Sequence, residues 1–348
     1  MNKTTKCLPL GALPYDKLKL ATAMVAKLYN QLPFIALLPN ISQLDTIEYR
    51  SFQNLPGISY ENGKVSLNQI SYTFNDEISD LDRAFKSSKI DNLDKYGFDA
   101  EFMEKYFHMI KKFNPQYAMV NLLGPFTISQ ILTASANELM LTDKSYKRLF
   151  THAVCVKALW MIDKIKHCCP QTVPVIILEE PMFTKYGELK QGNVDSSYKF
   201  ITDLFSTVIQ KLKNAGALVG IQCMDKCDWA IPIKAGVDLI SYDAYNNPNN
   251  LTIIPDILID FIRRGGIINW GIVPVVSDNV VKELSLDYLQ KRLESTFEGV
   301  IISGVPAELL HKSAMVSVNG NMNQLSAFFA ERAIMLASQL SSKLGVLV

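Results

Sequence analysis

Two glutamates, Glu179 and Glu180, stand side by side after the apolar run Val175–Leu178 and before Pro181. A carboxylate at the end of such a run can hold a substrate ammonium group or act as a general base. Adjacent strand residues point to opposite sides, so at most one of the two can face a barrel axis. The competing reading is a structural carboxylate paired with Lys or Arg, a common arrangement. Cys223 and Cys227 form a CxxxC spacing that also follows an apolar run. Zinc accepts two thiolates, and Asp243 or another group would complete the tetrahedron. Against this, buried cysteines with no ligand role are frequent, and no histidine falls near either one. His108, His152, His167 and His311 sit in expected helices or at their ends and mark no catalytic pair. The chain has no P-loop, HExxH motif or nucleophile elbow.

Other polar or conformationally special residues also close apolar runs. Leu10 is followed by Gly11-Ala12, Leu122-Leu123 by Gly124-Pro125-Phe126, and Val219–Ile221 by Gln222-Cys223-Met224-Asp225. Ile240-Ser241 leads to Tyr242-Asp243, and Asn269 to Trp270-Gly271. In a barrel, chemistry gathers where strands end and βα loops begin, so these positions would converge on one mouth.

The elements that must position them alternate strand with helix. Apolar runs with few charges suit parallel strands buried on both faces. They fall at Cys7–Leu10, Phe34–Leu38, Tyr117–Leu122, Pro174–Leu178, Ala217–Ile221, Val237–Ser241, Ile267–Trp270 and Ala314–Val316. Between them, Asp195 could cap a helix burying Ile201, Leu204, Phe205, Val208 and Leu212, ended by Gly216. Asp143 could open another with Phe150, Val154, Met161, Ile162 and Ile165 inside, stopped by Pro170. A last helix near Asn323–Ser342 places Leu325, Phe328, Phe329, Leu336 and Leu340 on one stripe. Repeated strand–helix–strand units imply a parallel sheet with right-handed connections. Eight strands favour closure into a (β/α)8 TIM barrel spanning 1–348 as one domain; an open doubly wound sheet is the alternative, although no GxGxxG follows any strand. From Ser42 to about Lys112 the alternation breaks. This stretch holds a hairpin (Ile58–Glu61, Asn62-Gly63, Lys64–Asn68) and polar helices, and reads as an insertion over the barrel mouth.

Composition narrows the function classes. The 348 residues are 48% hydrophobic and 20% charged, ordinary values for a globular chain, so no disulfide or metal staple is needed for folding. The formal net charge is +1 and the basic residues are scattered, which argues against nucleic acid as a partner. Met1–Tyr15 lacks the apolar core of a secretory signal, no segment is long enough to span a bilayer, and six cysteines give no disulfide-scaffold density. A cytoplasmic protein that does not enter membranes is expected.

Several of these segments resemble the catalytic barrel of cobalamin-independent methionine synthases, within the superfamily that also holds uroporphyrinogen decarboxylases. Leu10-Gly11-Ala12-Leu13-Pro14 is similar to the family's GSLP/GSFP segment, Leu123–Thr127 to its TGPxT, and Leu178-Glu179-Glu180-Pro181 to its IDEP. Trp270–Pro274 and Asp228-Trp229 resemble single-barrel relatives, and the similarities run in order along nearly the whole chain. The resemblance implies a zinc that binds and activates a homocysteine thiolate for methyl transfer. Carried over by position, the HisXaaCys ligands fall on Gln222-Cys223-Met224, the Glu on Asp243 and the late Cys on Asn319. Gln, Met and Asn cannot supply the shell Zn²⁺ prefers. Either a rebuilt site uses Cys223, Cys227 and Asp243, or the metal chemistry has gone; loss is the favoured reading.

The resemblance also implies that Glu179, aligned with an amine-binding Asp, and the turn at Gly11-Ala12 hold an amino acid, with Gln222, Asp243 and Trp270 completing the substrate site. Three functions follow. The first is methyl transfer to a small thiol such as homocysteine. There is room for one barrel, not the family's two, so the donor could be a methylated corrinoid protein or a smaller molecule. The second is a catalytically degenerate barrel binding a small amino acid, a corrinoid or a partner protein. The third, tetrapyrrole decarboxylation, needs cations for several carboxylates, and no Arg precedes Arg50.

Overall fold

The computed structural model describes residues 7–344 except 43, 62–63, 69–72, 88, 99, 135–143 and 186–193. The expected Asn62-Gly63 turn and the Asp143 cap lie outside the described residues. A parallel six-stranded sheet forms the centre, in the order β3 (Tyr117–Leu123), β4 (Val173–Glu179), β5 (Leu218–Cys223), β6 (Leu239–Tyr242), β7 (Ile267–Val273), β8 (Ala314–Val318). An antiparallel hairpin, β1 (Ile58–Glu61) with β2 (Lys64–Leu67), stands apart from it. The six runs expected from Tyr117 onward are all strands, because each is apolar on both faces and has helix to cover its outer side. Val173–Glu179 is buried at five successive positions, Pro174 to Leu178.

The two remaining apolar runs, near Cys7–Leu10 and Phe34–Leu38, are not ladders. They make isolated parallel bridges: Cys7 to Val316 of β8, Ala12 to Leu37, and Phe34 to Met119 of β3. Backbone hydrogen bonds accompany them, from Leu8 N to Val316 O at 3.0 Å and from Met119 N to the Pro33 carbonyl at 2.9 Å.

Helices sit where a buried stripe demands them. Val194–Asn214 buries Ile201, Leu204, Phe205, Val208 and Leu212 completely and ends before Gly216, whose φ of +83° suits a residue without Cβ. The last helix is Ala327–Leu344, starting later than expected. Its inner face is Ala330, Ala333, Ile334, Ala337 and Leu340, while Phe328 is 72% exposed. Of the expected stripe, Leu325, Leu336 and Leu340 are buried and Phe329 is half-buried, so Phe328 alone departs from it.

Helix Lys144–Cys168 is buried on every face from Leu149 to Ile162, which requires cover on its outer side. The insertion supplies it. Helix Phe74–Ser87 lays Leu81 and Ala84 inward; Asp82 meets His152 at 2.7 Å and Phe85 stacks on the same ring. Asp94 accepts from Trp160 Nε1 at 2.8 Å, and the Tyr96 carbonyl accepts from buried Lys157 at 3.2 Å. The segment expected over the mouth is therefore divided. Helix Ile47–Phe52 lies at the C-terminal end of β3, where buried Ser51 Oγ accepts from Leu123 N at 2.9 Å, while helix Phe74–Ser87 and the helical turns Ile90–Leu93 and Asp94–Tyr96 wrap the outside. Helix Ala100–Phe113 leads directly into β3 as its crossover, so the insertion stops short of it. Among the described residues, no helix is long and apolar enough to cross a membrane.

Candidate functional site

Sheet register decides which side chains meet. Leu123, Glu179, Gln222, Ser241 and Asn269 are direct partners across β3 to β7 and share one face. Residues one step along, Glu180, Cys223, Tyr242 and Trp270, take the opposite face. That second face is the helix side. Trp270 is fully buried with its ring 4.8 Å from Phe297 of helix Leu286–Ile302 and 5.4 Å from Tyr242. Trp270, expected among the substrate contacts, packs behind the sheet instead.

The two glutamates divide accordingly. Glu180 is fully buried and reaches the first turn of helix Pro125–Ala134. Its Oε1 accepts from Phe126 N at 3.0 Å; its Oε2 accepts from Thr127 N at 2.7 Å and Thr127 Oγ1 at 2.6 Å. It caps that helix from a neighbouring strand, and the positive helix end suits a carboxylate. Burial pushes its pKa up to about 7 against the pull of these donors. A Cβ on Gly124 would lie 2.0 Å from Glu180 Oε1, so the Gly-Pro-Phe-Thr turn and the second glutamate form one structural joint.

Glu179 is the inward one. Asn121 Nδ2 donates to its Oε1 at 2.6 Å. Burial raises its pKa to about 7; the Asn121 hydrogen bond works in the other direction, and the nearby charge of Glu48 adds to the rise. Glu179, Asn121 and Gly11 border a cavity of about 10 Å³, closed on the insertion side by Arg50 and Phe98. That is space for roughly one water or one ammonium group. Arg50 is committed elsewhere, pairing with buried Asp45 and donating to the Ala36 carbonyl at 3.1 Å.

Below this rim the inward face stays polar. Asn269 Nδ2 donates to Ser241 Oγ at 2.9 Å and Ser317 Oγ at 2.8 Å, while Ser317 donates onward to the Val318 carbonyl. Because that hydroxyl proton is already used, the orientation of the Asn269 amide is fixed. Three buried carbonyl oxygens on this face, Asn121 Oδ1, Gln222 Oε1 and Asn269 Oδ1, have no hydrogen-bond partner among the described residues. Buried polar atoms are nearly always paired, so unpaired ones point to a ligand or solvent. Of the expected contacts, Glu179 and Gln222 therefore face inward together. Asn121, Ser241, Asn269 and Ser317 were not anticipated; a single polar residue at an alternate position within an apolar strand is the signal that marks them.

The Gly11-Ala12 turn is inward but occupied. Ala12 N donates to Asn321 Oδ1 at 2.9 Å, and Met322 N donates to the Ala12 carbonyl at 2.9 Å. At φ +75°, a Cβ on Gly11 would lie 2.5 Å from Asn321 Oδ1. The turn locks the first segment onto the loop after β8, so the backbone N–H of Ala12, in the turn expected to hold an amino acid, is already taken.

Asp243 is buried and accepts from Asn246 N at 2.9 Å, Asn246 Nδ2 at 2.6 Å and Asn319 Nδ2 at 3.1 Å. Cys223 lies on the helix side, its Sγ donating to the Asp225 carbonyl at 3.7 Å, and the Cys227 thiol is pushed well up, first by burial. The candidate ligands Cys223, Cys227 and Asp243 are thus split between two faces of the sheet. Among the described residues, no group of three or more His, Cys, Asp or Glu could hold a metal ion. The residues do not fit zinc, and the rebuilt site is not assembled.

No protein-family model matches the chain, and no curated protein matches it. Among solved structures it is similar to a native Bacteroidetes-affiliated GH5 cellulase linked with a polysaccharide utilization locus. The two are 12% identical over 72% of this chain and 75% of that one, with a TM-score of 0.43. A likeness at that level carries no functional argument.

Proposed function

We propose that the chain is an eight-membered (β/α) barrel that binds a small molecule through a primary amine, such as an amino acid, at Glu179 and without a metal. The three parallel bridges support closure, since they link the Cys7–Ala12 and Phe34–Leu37 segments to each other and to both edges of the six-stranded sheet. The observation that carries the ligand reading is the inward end of β4. There a carboxylate with one oxygen held by Asn121 borders a cavity of ammonium size together with Asn121, whose Oδ1 has no partner among the described residues, and the likewise unpartnered Gln222 Oε1 belongs to its register neighbour. These groups accept hydrogen bonds, and an ammonium donates three. The body of any such ligand requires the Arg50 and Phe98 side of the cavity to move. Calorimetric titration with a panel of amino acids, homocysteine included, tests the reading. Binding should strengthen as pH rises through about 7, where Glu179 ionises, and Glu179→Gln should weaken it at least tenfold. Failure of every amine to bind at pH 8 would sink it.

A second reading, methyl transfer to a thiol-bearing amino acid, has one observation in its favour. Asp243 and Asn319, the positions that the methionine-synthase resemblance aligns with two ligands on separate strands, meet at 3.1 Å. This supports the alignment while leaving no zinc shell. In this reading Glu179 holds the amine, and the ligand's thiolate attacks the methyl carbon of a corrinoid protein or a smaller donor, the S–C bond forming as the donor–methyl bond breaks and the donor leaves with the electron pair. Incubating homocysteine with methylated corrinoid, with and without zinc, should yield methionine in a Glu179-dependent manner; no product under either condition rejects it.

A further inference from the structure

Opposite Glu179, towards the end of the sheet where strands begin, the outer surface carries a groove of about 710 Å³ between helices Leu18–Leu28 and Ala100–Phe113. Its size falls within the range of small-molecule sites. Phe107, Phe113 and the half-buried Cys168 supply an apolar floor. Lys19 stands on one wall and Lys105, Lys111 and Lys112 on the other, all four exposed. None of the four has an ion-pair partner among the described residues. Lys111 stands close enough to the floor for its charge to act on the Cys168 thiol.

We propose that this groove binds an anionic amphiphile, a free small molecule with a carboxylate or phosphate head on an aliphatic or aromatic body. The argument is charge complementarity over an apolar floor. Four lysines face one carboxylate, Glu104, in a chain whose totals of 35 basic and 34 acidic residues nearly cancel. The local excess is therefore not a reflection of overall composition. Lysine stems can lie along a ligand's apolar body while their ammonium groups meet its head. The groove is independent of the Glu179 cavity, with which it shares no lining residue.

The test uses the full chain and two matched probes, decanoate and decyltrimethylammonium, titrated by calorimetry. Decanoate should bind saturably at one site, and the cationic probe should not. Lys105→Glu with Lys111→Glu should weaken decanoate at least tenfold. Both lysines are exposed, so the variant should keep the wild-type urea midpoint. Decanoate should also slow alkylation of Cys168, read by peptide mass spectrometry. The proposal is overturned by no saturable decanoate binding, by equal binding of both probes, or by an unchanged affinity in the double variant. Binding to anionic vesicles without binding of monomeric decanoate would make the face a membrane contact and would equally overturn it.

Discussion

Replacing Glu179 with glutamine removes a charge that its surroundings disfavour while preserving the oxygen that accepts from Asn121 Nδ2. Burial lifts this carboxyl from 4.5 to about 7. The folded state therefore binds the proton more tightly than the unfolded chain does, and the wild-type protein loses stability as pH rises from about 4.5 to about 7. Each tenfold change in proton affinity is worth about 1.4 kcal/mol, so the full effect is at most ~3.5 kcal/mol. The side chain is partly exposed, and solvent screening reduces this to roughly 1–2 kcal/mol. Glutamine cannot ionise, so the variant should match the wild type near pH 4 and exceed it by about that amount at pH 8. At ~2 cal/mol/K of unfolding entropy per residue, this is a rise in Tm of about 2 °C. Urea unfolding without ligand at pH 4, 6 and 8 measures it. A difference that stays constant with pH, or a variant less stable at pH 8, refutes the assignment of Glu179 as the inward carboxyl whose charge burial disfavours.

Glu180 should respond in the opposite direction. Glu180→Ala strips the partner from two backbone N–H groups and a hydroxyl and should cost about 2–4 kcal/mol in urea unfolding; a neutral result rejects the capping role. Gly124→Ala forces a methyl group into the Glu180 carboxylate and should destabilise by about 2 kcal/mol or more, with little further loss when combined with Glu180→Ala. Protein purified without a tag and dialysed against zinc should show, by elemental analysis, no stoichiometric metal that depends on Cys223 or Cys227, because Cys223 and Asp243 face opposite sides of the sheet. Zinc lost on Cys223→Ser would contradict that geometry.

The strands from Tyr117 onward and the helix Val194–Asn214 were legible because their burial follows directly from local pattern. Runs apolar on both faces have only one fate in a parallel sheet, and Ile201, Leu204, Phe205, Val208 and Leu212 repeat at helical spacing. The two N-terminal segments were legible as apolar runs but not as isolated bridges, since pairing depends on neighbours distant in sequence. The last helix shows the limit of pattern alone. Phe328 fits an apolar stripe as well as Ala330 does, and only the packed neighbour on the other side distinguishes them.

The candidate site shows the same division. The sequence alone determined that Glu179 and Glu180 must face opposite ways, as must Gln222 and Cys223, because a strand alternates. It equally determined that the HisXaaCys ligand pattern is absent at 222–224. Tertiary structure decided the phase of that alternation. It put Glu179, Gln222 and Asn269 inside and sent Glu180 to cap a helix, Trp270 to Phe297, and Cys223 away from Asp243. It also spent the Ala12 donor on Asn321, 309 residues along the chain. Periodicity is a property of one strand, whereas its phase is set by register with the next strand and by the helix that covers the outer face, which no local stretch of residues encodes.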